Sequence, residues 1–333
     1  MMIAIPLVGL ALAWGPGARY FRAARLLTGF GDARPVDVRV EEHPLAGLRS
    51  RTYRGEGPPL LLVHGAHPGG IDEPRLVRFA SLLAEAGFVV STPEIPALRA
   101  LRFDPGAADQ IAAAARALGR PTVGVVGISF GGGLALVAAS NEPAIGAVWT
   151  IGAHHDAARL AAWWRGEPIA GPDGARVTEG AERYGAQVLA HAYAEDYFAH
   201  DAEGARAALG DVLRGTAPQL DALHPEARAR VEALRQGRAP DREALARLTE
   251  RHAAELAAVS PAGRLARVRV PVFVLHGEGD PLVAPSEAEW IARELPSATA
   301  LRTPLIGHAD LGEAGLSEQW AVVSFAASAL DAM

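Results

Sequence analysis

Ser129 sits in the run Gly127-Ile128-Ser129-Phe130-Gly131. A serine hydroxyl is a poor nucleophile at neutral pH, so using it requires a base within hydrogen-bond reach and a group that orients the base. Glycines two residues before and two after the serine allow a tight, strained turn from a strand into a helix. The serine then lies at a helix N-terminus, where amides and the helix dipole favour developing negative charge. His308, in Leu305-Ile306-Gly307-His308-Ala309-Asp310, is the candidate base. The orienting carboxylate is sought in His276-Gly277-Glu278-Gly279-Asp280-Pro281, with Asp280 first, Glu278 a poorer choice, and Asp156 an alternative location. An oxyanion formed by attack of Ser129 needs backbone donors. The amide of Phe130 is one; the loop His64-Gly65-Ala66-His67-Pro68-Gly69-Gly70 offers Ala66 as the second, ahead of His67.

The elements that position these groups alternate from residue 35 onward, which predicts a mostly parallel sheet covered by helices on both faces. Residues 36–41 and 48–53 read as short strands, and Leu60-Leu61-Leu62-Val63 as a central buried one. Leu76, Phe79, Leu82 and Leu83 mark a helix that Gly87 stops. Strands follow at 88–90, 122–128 and 145–151, with helices at 107–118 and from the elbow to Ser140. Between Gly152 and Val270 no strand-like run occurs, and the helical pattern there predicts an inserted cap at residues 154–260. Pro225 and Gly237 bracket one of its helices; Leu245, Leu248, His252, Leu256 and Val259 form the inner stripe of another. The sheet pattern resumes with strands at 270–275 and 298–303, a helix at 287–295, and a closing helix carrying Leu316, Trp320, Val323, Ala327 and Leu330. The core is accordingly read as residues 35–153 and 261–333, with residues 1–34 as an apolar arm.

The His64-Gly65 turn, the Ser129 elbow, the Leu275-His276-Gly277…Asp280 segment and the Gly307-His308 segment together resemble the α/β-hydrolase superfamily. The order Ser, Asp, His is the order of that fold. The resemblance implies a serine hydrolase cleaving a carboxylic ester or related acyl bond through an acyl-enzyme. The same triad also serves acyltransferases and amide, peptide or carbon–carbon bond hydrolases, and a non-catalytic, membrane-attached binding protein is a further alternative. Serine at position 129 speaks against the members of this fold that use an aspartate nucleophile.

The 333 residues hold 32 basic and 38 acidic side chains, a formal charge of -6, and no basic block, so a small-molecule partner is expected and a nucleic acid is not; the resemblance implies that this partner is an acyl substrate. Without cysteine, disulfides, thiolate zinc sites and cysteine nucleophiles are excluded. No cofactor or metal is expected; adjacent His154-His155-Asp156 lacks a companion ligand set. Residues 1–17 carry no charge, and Arg19, Arg22 and Arg25 follow at helical spacing. Residues 1–27 therefore read as a membrane attachment that keeps the rest of the chain cytoplasmic, with a cleaved signal or a soluble apolar arm as alternatives. His67, His154 and Trp163 are candidate substrate-binding residues, although Trp163-Trp164, Tyr184, Tyr193, Tyr197 and Phe198 are expected mainly to pack the cap. The Arg/Glu alternation from Arg228 to Arg251 reads as a solvated helix face.

Overall fold

A computed structural model describes residues 17–31, 35–178, 183–238, 241–308 and 315–333. Ten strands are described: β1 (Val40–Leu45), β2 (Leu48–Tyr53), β3 (Pro59–Val63), β4 (Val89–Pro93), β5 (Val123–Ile128), β6 (Ile145–Ile151), β7 (Ile169–Ala170), β8 (Arg176–Val177), β9 (Val272–Gly277) and β10 (Thr299–Thr303). Eight of them form one sheet in the order β1-β2-β4-β3-β5-β6-β9-β10. β1 pairs antiparallel with β2, and β2 with β4; every other pairing in that sheet is parallel. The parallel order follows from sequence: Leu60 to Val63 of β3 are all fully buried, as a strand covered on both faces requires.

Side-chain alternation divides the interior into two layers. Leu61, Val63, Val125 and Val148 face one layer, and Leu60, Leu62, Val126 and Trp149 the other. The helices are α1 (Ala18–Gly31), α2 (Pro74–Glu85), α3 (Pro96–Arg99), α4 (Ala107–Ala117), α5 (Phe130–Ala139), α6 (Ala157–Trp164), α7 (Arg183–Ala192), α8 (Ala194–Tyr197), α9 (Ala202–Leu213), α10 (Pro225–Arg235), α11 (Arg242–Arg251), α12 (Ala253–Ala258), α13 (Ser286–Glu294) and α14 (Leu316–Ala332). Helices α1, α2 and α14 cover the second layer, whereas α4 and α5 cover the first, which continues into the inserted α6–α12.

Several boundaries depart from expectation for physical reasons. The first strand lies at Val40–Leu45, beyond the predicted 36–41, because Ala46 and Gly47 take φ of 51° and 80° and make a tight hairpin that pairs Leu45 with Leu48. Pro44 is tolerated there because β1 is an edge strand. A two-stranded hairpin, β7–β8, interrupts the insertion, where no strand was expected. The stripe from Leu245 to Val259 is broken into α11 and α12 at His252, whose ring stacks 3.9 Å from Tyr193 and reaches Asp196 at 2.7 Å.

The N-terminal arm is the largest departure. Residues 1–16 lie outside the described residues, but α1 packs on α14 and α2 with Ala23 and Leu26 buried. Arg22 reaches Asp331 at 2.7 Å, Arg25 reaches Glu85 at 2.9 Å, and Tyr20 stacks on Trp320 at 5.3 Å. The arginines read as a membrane flank thus pair with acidic groups of the core, and within the stretch read as an apolar arm at least α1 is packed on it. Among the described residues, no helix is long and apolar enough to cross a membrane.

Candidate active site

Ser129 joins β5 to α5 with φ 53° and ψ -128°, a region that L-residues enter only under constraint. The constraint is visible in its surroundings. A Cβ on Gly131 would lie 2.3 Å from the carbonyl oxygen of His64, and one on Gly127 would lie 2.6 Å from the Cα of Gly132. The end of β5, the elbow and the loop after β3 are therefore packed backbone to backbone, and only glycines fit between them. The amide of Ser129 donates to the carbonyl of Ile151 at 2.8 Å, and the amide of Gly152 to Leu275 at 2.9 Å, which ties together the C-terminal ends of β5, β6 and β9.

Asp280 follows β9 and is buried. Its Oδ1 accepts the amides of Leu282 at 2.8 Å and Val283 at 2.9 Å. Nδ1 of His308 lies 2.8 Å from Oδ2 and 3.0 Å from Oδ1. An ionised carboxylate only accepts, so Nδ1 carries a hydrogen, and it is Nε2 that bears the lone pair of the neutral ring. Burial alone would raise the Asp280 carboxyl, but its hydrogen bonds with His276 and His308 outweigh it and hold the group below the ordinary carboxylate value. The alternatives are otherwise engaged: Glu278 is exposed, and Asp156 caps α6 by accepting the amides of Ala158 and Arg159.

Ser129 and His308 line one cavity of about 540 Å³, together with Ala66, His67 and Phe130. Among the described residues the amides of Phe130, first residue of α5, and of Ala66 have no acceptor. The Ala66 carbonyl accepts from the Tyr184 hydroxyl at 3.2 Å. His67 Nδ1 accepts the Gly69 amide at 3.0 Å, which leaves Nε2 free of that turn. Buried His64 accepts the amide of Ile95 at 3.0 Å; burial lowers its pKa to about 4, so it stays neutral and braces the loop.

Two expected substrate contacts are misplaced. His154 is fully buried, stacked 4.1 Å from the Phe130 ring, with Nε2 donating to the Val259 carbonyl at 3.0 Å; it supports Phe130 from behind and does not line the cavity. Trp163 is likewise buried on the packed side of α6. Its neighbour Trp164 lines the cavity and donates Nε1 to the Leu282 carbonyl at 2.8 Å. One helical step turns a side chain by about 100°, so adjacent tryptophans cannot share a face. Tyr184, expected mainly to pack the cap, lines the cavity, as do Leu26, Leu27 and Phe30 of α1, a stretch expected to form an apolar arm. Among the described residues, potential metal ligands gather at His200, His224 and Glu226, all exposed and outside the cavity.

The sequence profile of the family described as alpha/beta hydrolase fold matches residues 58–314. That is most of the chain, and the protein belongs to this family. No curated protein matches the sequence. Similar solved structures include the Porphyromonas gingivalis dipeptidyl peptidase 4, with a TM-score of 0.51 and 13% identity over 90% of this chain and 36% of that one. The uncomplexed Pyrococcus horikoshii acylaminoacyl peptidase has a TM-score of 0.50 and 11% identity over 84% and 38%. A membrane phospholipase A described as a bacterial virulence factor has a TM-score of 0.48 and 18% identity over 90% and 84%. The chain thus spans well under half the length of the two peptidases.

Proposed function

We propose that the chain hydrolyses a carboxylic ester through an acyl-enzyme on Ser129. The observation that carries this reading is the strained Ser129 elbow lining one cavity with His308, whose Nδ1 is held by buried Asp280. Ser129 Oγ attacks the ester carbonyl carbon while His308 Nε2 takes the hydroxyl proton. The amides of Phe130 and Ala66 receive the developing oxyanion, and their lack of other acceptors supports that role. Collapse of the tetrahedral intermediate breaks the carbon–oxygen bond, and His308 passes its proton to the leaving alcohol. Water then attacks the acyl-enzyme with His308 again as base, releasing the acid and free Ser129. Asp280 fixes the tautomer and stabilises the imidazolium.

A fluorophosphonate probe tests the reading. It is expected to label the wild-type chain and not Ser129→Ala, and p-nitrophenyl butyrate is expected to be turned over by the wild type alone. An unlabelled wild-type chain, or labelling that survives Ser129→Ala, overturns the assignment.

A further inference from the structure

The cavity passes over the C-terminal ends of the central strands and is lined from both layers of the fold. On the side of the inserted helices it is lined by Leu101, Phe103, Trp164, Val188 and Leu213. This arm also carries the Tyr184 hydroxyl and the exposed Arg102, while His67 and the ion pair of Glu73 with Arg75, 2.8 Å apart at the N-terminal turn of α2, complete the polar lining. On the other side, Ile128, Ile151 and Leu275 stand in register at the ends of β5, β6 and β9, all facing the second layer. Trp149 lies one step deeper on the same face of β6. The opposite wall of this second arm is built from α2 (Leu76, Phe79) and α1 (Leu26, Leu27, Phe30). Phe30 meets Phe79 edge-on at 5.9 Å, and Phe79 meets Trp149 edge-on at 6.2 Å, so aromatic rings run without a break from α1 to the sheet. None of these side chains is charged.

Resting on the esterase reading above, we propose that this second arm binds a long unbranched acyl chain, and that helix α1 is the part of the fold that makes room for it. Two considerations favour the acyl part over the alcohol. The alcohol leaves after the first step and departs past the polar, exposed groups of the other arm, whereas the acyl group stays bonded to Ser129 and needs an apolar resting place beside it. Beyond the Glu73–Arg75 pair at the start of α2, which satisfies its own charges, the arm offers hydrocarbon surface, which suits a chain of methylenes and penalises a polar acyl group. A cavity of about 540 Å³ is ample for an extended ligand of this kind.

The test uses the full chain and p-nitrophenyl esters from acetyl through butyryl and octanoyl to dodecanoyl and palmitoyl. Wild-type kcat/KM is expected to rise with acyl length at least as far as dodecanoyl. Leu27→Trp, which projects an indole into the arm, is expected to lower the dodecanoyl-to-butyryl ratio of kcat/KM at least about tenfold, since each displaced methylene forfeits roughly fourfold. Leu27→Ala, which widens the arm, is expected to shift the optimum towards palmitoyl. A wild-type preference for acetyl or butyryl, or a ratio unmoved in both variants, overturns the proposal. Binding of dodecanoate, measured by calorimetry, separates this inference from the esterase reading. Dodecanoate that binds the wild type and is weakened about tenfold by Leu27→Trp supports the arm even if no ester is cleaved. Absence of binding overturns it even if butyryl ester is cleaved.

Discussion

The hydroxyl of Tyr184, on α7 of the insertion, donates a hydrogen bond of 3.2 Å to the carbonyl of Ala66, whose amide is a proposed oxyanion donor. The carbonyl of Ala66 is thereby tied to α7, which also lines the cavity. Burial raises the Tyr184 pKa to about 12, so the phenol remains a donor throughout any ordinary assay range. Tyr184→Phe keeps the ring and removes the tie. Its kcat on p-nitrophenyl butyrate is expected to fall about tenfold with a smaller change in KM, because loosened oxyanion geometry costs more in the transition state than in the bound substrate. A raised KM with unchanged kcat would show that the hydroxyl only helps to bind.

Asp280 governs the tautomer of His308. Asn at position 280 can donate from its amide nitrogen, which allows the imidazole to carry its hydrogen on Nε2, the atom that receives the Ser129 proton in the proposed mechanism. Asp280→Asn is expected to lower kcat on the order of 10³-fold or more with circular dichroism unchanged. A loss of less than about tenfold would remove Asp280 from the proposed triad.

Ser129, buried but lining the cavity, is held there with backbone strain at φ 53°. Ser129→Gly relieves that strain and Ser129→Ala does not, so the two inactive variants are expected to differ in stability. Relief of on the order of 1–3 kcal/mol is partly offset by the extra unfolded-state freedom of glycine, about 0.5–1 kcal/mol. The glycine variant should therefore unfold at a higher urea midpoint than the alanine variant, by the equivalent of about 1 kcal/mol, with the same m-value. Equal midpoints would mean that the elbow stores no strain.

The legibility of this chain tracks how local each signal is. The β5–Ser129–α5 turn was readable because its glycines, strand and serine are contiguous, and residues 145–151 formed a strand at the expected bounds because the run is apolar between clear stops. Trp164 was missed in favour of Trp163 because facing depends on helix phase against the sheet, which the sequence of α6 does not state by itself. The packing of α1 was missed for a different reason. Arg19, Arg22 and Arg25 follow an apolar run in sequence, and their partners Asp331 and Glu85 are too distant in sequence to be read from it. His154 read as a rim residue because it follows β6 directly, and only the tertiary fold places Phe130 and Val259 around it.

Buried His154 contributes to the acid sensitivity of the fold. Desolvation lowers the pKa of His154 from 6.5 to about 4, because the ring is enclosed by Phe130 and Val259 and has no acid partner in contact. Between those two values the unfolded chain binds a proton that the folded chain refuses, so stability falls as pH drops from 6.5 and levels once the folded ring also protonates near 4. The folded state keeps its full advantage above 6.5. Integrated over that window the contribution of His154 is on the order of 3 kcal/mol, from about 1.4 kcal/mol per pH unit. His154→Phe removes the titrating group while keeping an aromatic ring against Phe130. Chemical denaturation at a series of pH values is expected to show a shallower decline for the variant, by about one proton's slope between 6.5 and 4. Parallel profiles for the two chains would mean that His154 protonates without unfolding its surroundings.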